Sequence, residues 1–136
     1  MSWLLDTNVL SELRKGARAD PGVRAWYTGT PAAELYTSVL VLGEVRRGIE
    51  SIRRRDVISA TALEHWLGRL VDGFADRILP IDAAVADRWG ALNVPDPVPT
   101  VDGLLAATAL VHDLVLVTRN VRDVSGTGVR VLDPTA

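Results

Sequence analysis

WLLDTNVLSEL, residues 3–13, joins two kinds of pattern at a single acid. Trp3, Leu4 and Leu5 form a short continuous apolar run, which suits a strand buried on both faces. Past Asp6, Thr7 and Asn8, helix-like spacing takes over. A carboxylate at such a joint has an ordinary use, because Asp, Thr and Asn all accept hydrogen bonds from the unpaired N–H groups of a first helical turn. Whether Asp6 does more depends on which other acids gather at the same place.

Working outward, three further runs read as strands, LYTS at 35–38, RILPI at 77–81 and LVLVT at 114–118, with VRVL at 129–132 as a fifth. Helical stripes lie between them. Val41, Leu42, Val45, Ile49 and Ile52 make one, with Glu44 at its margin. Leu63, Trp66, Leu67, Leu70 and Val71 make another on a helix beginning near Asp56, and Val85, Trp89 and Leu92 a third that Asp82 is placed to cap. GLLAATALV at 103–111 is apolar nearly all round and should be a buried helix, starting after the proline-rich NVPDPVPT. Short strands alternating with helices predict one α/β domain over residues 1–136, its parallel sheet of four to five strands covered on both faces.

The composition excludes several classes. There is no cysteine among the 136 residues, so any metal rests on oxygen or histidine ligands. No apolar run reaches membrane-spanning length and no basic segment leads a cleavable apolar one, so a cytoplasmic protein is expected, with no membrane partner. A net charge of −2 argues against coating nucleic acid through bulk positive charge. The basic residues are nevertheless skewed: only Lys15 is lysine, and Arg46, Arg47, Arg53, Arg54 and Arg55 are clustered. Arginine forks onto phosphate, so such a cluster suits an RNA backbone, although it equally suits a solvated helix face.

In an open parallel sheet, ligands bind beyond the carboxyl ends of the strands. Asp6 follows the first strand, Glu44 lies in the helix after the second, Asp102 opens the buried helix, and Asp123 follows LVLVT. Singly, each has a plain role as a cap, a turn residue or, for Glu44, a partner of Arg47 or Arg55. Together they would repel one another unless a cation neutralised them. Oxygen-only donors favour Mg²⁺ or Mn²⁺, and that chemistry suits phosphodiester hydrolysis. Ser38, Thr7, Asn8, Thr118 and Asn120 sit at the same strand ends and are placed to orient carboxylates or water. His65 and His112 are assigned to neither metal nor catalysis.

LLDTNVLSEL, TSVLVLGEVRRGI, TVDGLLAATAL and LVLVTRNVRDV, in this order and spacing, resemble the PIN domain, and within it the VapC ribonuclease toxins of toxin–antitoxin pairs. The resemblance implies a three-layer α/β/α fold and an endoribonuclease whose pocket holds Mg²⁺ or Mn²⁺ through Asp6, Glu44, Asp102 and Asp123. It places the family's small polar residues on Asn8, Thr118 and Ser38. It further implies a homodimer, an RNA substrate of which transfer RNA is a common example, and a small VapB-type antitoxin that pushes an arginine or other C-terminal side chain into the acidic pocket. Val124 stands where the family often has Phe, still an apolar residue. Asp96, flanked by Pro95 and Pro97, is an extra polar group near Asp102 or a turn residue. Spacing from Glu44 places Arg47 or Arg55 nearest the pocket for RNA contact.

Other readings compete. A phosphorylated receiver domain needs a lysine at a strand end, and Lys15 lies at the end of the first helix. A phosphoaspartate phosphatase needs a second acid at position 8, which is Asn. A DNA-flap nuclease needs added DNA-binding elements for which the chain has no room. The remaining alternative is a non-catalytic module of this fold that binds RNA or protein.

Overall fold

In the computed structural model, which describes residues 1–136, the run at 3–5 is strand β1 (Trp3–Leu5) and the chain turns at Asp6 into α1 (Thr7–Leu13). There follow α2 (Pro21–Thr28), β2 (Leu35–Ser38), α3 (Val39–Arg53), α4 (Val57–Phe74) and β3 (Ile78–Leu79). The remainder is α5 (Ala83–Leu92), α6 (Thr100–Val111), β4 (Val115–Val117) and β5 (Val131–Leu132). All five strands are parallel, in the order β3-β2-β1-β4-β5. Helices cover both faces, giving the expected three layers.

This order sets where a site can form. From β1 the chain builds outward through β2 to β3, then returns to lay β4 against the other side of β1. The direction of winding therefore reverses between β1 and β4. Crossovers leave the sheet to opposite sides at such a point and open a crevice at the carboxyl ends of the two strands.

The core follows the apolar patterns. Leu4, Leu5, Ile49, Leu105 and Leu116 are almost fully buried. On α3, Val41, Val45 and Ile49 face inward, while Leu42 and Ile52 lie half-buried at the margins. The helix that is apolar all round is buried as expected: α6 hides Leu105, Ala106, Ala107 and Ala109, and the buried Thr108 hydroxyl donates to Leu104 O at 2.7 Å. A Cβ at Gly103 would press on the Trp89 indole at 3.3 Å, so the missing side chain lets α5 and α6 approach closely. Asp82 caps α5 through Val85 N and Asp56 caps α4 through Ser59 N, both at 3.0 Å.

Several expectations are corrected. Strands β1 and β2 match their runs, but β3, β4 and β5 are shorter than theirs. Arg77 belongs to the turn before β3, and Pro80, which has no N–H for a ladder, follows its end. Val71 turns to solvent, whereas Leu63, Trp66 and Leu70 pack on the core. Helix α2 was not foreseen, although Asp20 accepts from Gly22 N and Val23 N and Pro21 fills the first helical position. Its Trp26 meets Trp3 edge-on, with ring centroids 5.6 Å apart, so these tryptophans pack within the fold.

Candidate active site

At the crevice between β1 and β4, the Asp6 N–H donates to Val117 O at 3.0 Å, so the residue is fixed where the two strands end. Its side chain is 5% exposed and well engaged. Oδ1 accepts from Thr7 N at 2.6 Å, and Oδ2 accepts from the Thr118 hydroxyl at 2.8 Å and from Asn8 Nδ2 at 3.4 Å. Thr118 is the hinge of this arrangement, since its oxygen also accepts from Asn8 Nδ2 at 3.2 Å and from Asn120 N at 3.0 Å. Asn8 Oδ1 in turn accepts from Arg119 N at 3.2 Å. Residues more than a hundred positions apart thus hold one carboxylate in one orientation.

The other acids reach the crevice from their own elements. Helix α6 precedes β4 and runs back along the sheet, so Asp102 in its first turn lies at the carboxyl edge. Glu44 comes from α3, where its Oε1 accepts from the Thr7 hydroxyl at 2.7 Å rather than pairing with Arg47 or Arg55. Asp123 sits in the single turn Val121–Val124 after β4, whose Val124 is buried in the core. The carboxylates of Asp102 and Asp123 take no hydrogen bond from the protein.

Their electrostatics are those of crowded anions. Burial pushes the Asp6 carboxyl above the ordinary aspartate value; the Thr118 and Thr7 hydrogen bonds pull it back, and the Glu44 charge adds a further upward push. Burial also raises Asp102, and the charges of Asp6, Asp123 and Glu44 raise it more. Asp102 therefore feels the charges of the other three predicted acids, and Asp6 feels that of Glu44. Yet no three acidic or histidine side chains close into a ready-made ion cage. Oxygen donors that repel one another, two of them without protein partners, fit a hard divalent cation that keeps several waters and takes only one or two carboxylates directly.

The supporting residues divide. Asn8 and Thr118 touch Asp6 directly. Asn120 contributes its backbone N–H while its side chain makes no hydrogen bond. Ser38 is buried and its hydroxyl accepts from Leu40 N at 3.1 Å, the role of an α3 cap. Arg47 lines a shallow cleft with Glu44. Arg55 lies past the end of α3 and forms no ion pair. Arg46 and Arg53 are engaged with Glu50 and Glu64.

One arrangement escaped the sequence reading. Glu12, one turn after Asn8 on the same face of α1, is buried. It accepts from Arg119 Nη1 at 3.2 Å, Lys15 Nζ at 3.0 Å and Asp20 N at 2.9 Å. The Lys15 contact, followed by the Asp20 one, holds its carboxyl below the ordinary value. Asn8 and Glu12 thus grip Arg119 by backbone and side chain, tying α1 to the loop that carries Asp123. The i,i+4 spacing was visible; the partner, 107 residues away, was not.

Fold and site together define an α/β domain with an acidic crevice at the switch point of a parallel sheet. The PIN domain family model matches residues 3–124. The chain belongs to the PIN domain family. It is 30% identical to the VapC ribonuclease Y4jK of Sinorhizobium fredii over 138 residues, covering 96% of each chain. It is also 30% identical to Toxin FitB of Neisseria gonorrhoeae over 141 residues, again covering 96% of each. Among solved structures, FitAcB from Neisseria gonorrhoeae superposes with a TM-score of 0.88 at 29% identity over 97% of both chains. A toxin–antitoxin complex from Klebsiella pneumoniae gives 0.75 at 27% identity over 98% of both.

Proposed function

We propose that this chain is a Mg²⁺- or Mn²⁺-dependent endoribonuclease that hydrolyses RNA phosphodiester bonds as the toxin of a toxin–antitoxin module. The observation that carries the reading is the convergence of Asp6, Glu44, Asp102 and Asp123 on one crevice, where burial first and then the charges of Asp6, Asp123 and Glu44 raise the Asp102 carboxyl. Relatives named as a VapC ribonuclease and a toxin support the same activity and role.

In this reading Asp102 and Asp123 offer unclaimed oxygens to the ion, with Asp6 and Glu44 beside them. When bound, the ion would polarise the scissile phosphate and make water a better nucleophile near neutral pH. The chain's own residues prepare that site. Thr118 and Asn8 fix the Asp6 carboxylate, Thr7 fixes Glu44, and the Glu12–Arg119 contact holds the Asp123 loop against α1. Arg47, beside Glu44, and Arg55 meet the RNA backbone, transfer RNA among its candidates, whereas Arg46 and Arg53 are already paired. A VapB-type antitoxin would inhibit by placing a cationic side chain among these acids, and the working form is a cytoplasmic homodimer. No helix is long and apolar enough to cross a membrane.

The test is a calorimetric Mn²⁺ titration of the partner-free protein beside a folded Asp102→Asn variant, followed by cleavage of single-stranded and transfer RNA. Saturable binding and cleavage, both lost in the variant, are expected. RNA binding without Mn²⁺ uptake or cleavage would replace this reading with the non-catalytic module.

A further inference from the structure

Next to the acids lies a cleft of about 300 Å³ walled by Pro95, Asp96, Pro97 and Pro99 on one side and by Arg122 and Asp123 on the other. Asp123 belongs to both the cleft and the acid site, so an occupant of the cleft lies beside whatever the acids act on. The proline wall is stiff, because each ring fixes its own φ. Asn93 holds its shape, accepting from Val98 N at 3.0 Å and donating to Trp89 O at 2.7 Å.

That role of Asn93 leaves Asp96 without a structural task. An aspartate that builds a turn accepts from the backbone two residues on. The Asp96 carboxylate accepts no hydrogen bond and forms no ion pair, and the Arg122 guanidinium is equally unpaired, only its carbonyl being used by Ser125. A carboxylate and a guanidinium, both free, thus line one stiff-walled cleft at the edge of the acid site.

This pair suits a base better than a phosphate. Asp96 would repel a phosphate but accepts readily from the N–H groups of a nucleobase edge, while arginine donates to base oxygens and ring nitrogens. Guanine presents N1–H and N2–H side by side to two carboxylate oxygens, and O6 and N7 to a guanidinium. Such edges are free only in single-stranded RNA. We propose that this cleft holds the base of one nucleotide flanking the cleaved bond and selects guanine through Asp96 and Arg122. The proposal rests on the ribonuclease reading above and adds to it a determinant of sequence preference.

The test uses the full chain in EDTA, so that no cleavage occurs, with fluorescein-labelled short oligouridylate and counterparts carrying one central G, A or C. Anisotropy should show the G-containing strand binding about tenfold more tightly than oligouridylate, in the range of one good base contact. Asp96→Asn should erase that ranking while leaving affinity for oligouridylate within about twofold, and Arg122→Gln should weaken the G-containing strand most. No ranking in the native chain, no binding at all, or a ranking that survives Asp96→Asn would overturn the proposal. Adding Mg²⁺ to the same strands separates the two claims. Uncut RNA with an Asp96-dependent ranking sinks the ribonuclease reading alone, and cleavage with a ranking indifferent to Asp96 sinks the base-reading cleft alone.

Discussion

Replacing Thr118 by Val keeps the shape of a side chain that is 1% exposed and removes only its hydroxyl. That hydroxyl donates to the buried Asp6 carboxylate at 2.8 Å. A hydrogen bond to a charged group is worth about 1.5–3 kcal/mol, against about 0.5–1.5 kcal/mol to a neutral one. The loss should therefore depend on whether Asp6 is ionised. Because its folded carboxyl is raised above the ordinary value, stability from this group is fully present below the unfolded pKa and is lost as pH rises through the folded one. Removing Thr118's hydrogen bond raises that carboxyl further and deepens the loss. At pH 8, in EDTA, urea unfolding of Thr118→Val should show a deficit of about 1.5–3 kcal/mol. With an unfolding entropy of about 0.29 kcal/mol/K for 136 residues, Tm should fall by about 5–10 °C. At about pH 4 the deficit should shrink to about 0.5–1.5 kcal/mol, and Thr118→Ser should recover most of the loss at both values. Equal deficits at the two pH values, or one below about 0.5 kcal/mol at pH 8, would refute the claim that Thr118 clamps an ionised Asp6.

Three further outcomes follow from the same geometry. Asp102→Asn removes one of the repelling charges, so without metal it should melt above the native protein in differential scanning calorimetry while losing Mn²⁺ uptake. Mn²⁺ affinity measured against pH should weaken on acidification at values higher than ordinary carboxylates would give, because protons compete for the raised Asp6 and Asp102. Gly22→Ala should loosen the tail in hydrogen exchange and lower Tm, since a Cβ there collides with the backbone of Pro134 and Ala136.

What the sequence disclosed was whatever depends on local pattern or strand order. The continuous apolar run of β1, the all-round apolarity of α6 and the alternation of helices with strands sufficed for the parallel sheet. The sheet rule then placed Asp6 and Asp102 at one edge. Helix α2 escaped because its eight residues bury only Val23, too little to make a stripe, although Asp20 and Pro21 marked its start. Val71 was misplaced because adjacent residues on a helix diverge by about 100°, and Leu70 already fills the inward direction. Within the site, Glu44's partner could not be read from helical spacing. Thr7 reaches it from another element, while the arginines at matching spacing make no bond to it. Asn8 and Thr118 were legible as polar residues at strand ends. Their convergence on one oxygen of Asp6, and the grip of Glu12 on Arg119, exist only in the tertiary structure.

The junction of β1 with β4 also orders events in time. Synthesis delivers Asp6, Thr7 and Asn8 first, but Thr118, Arg119 and Asp123, which complete and brace the site, come more than a hundred residues later. Before β4 has emerged and docked, Asp6 has neither its Thr118 partner nor the Val117 carbonyl that anchors its backbone. A nascent chain therefore carries its six α-helices and strands β1 to β3 before it carries a complete crevice, which closes only once β4 is laid against β1.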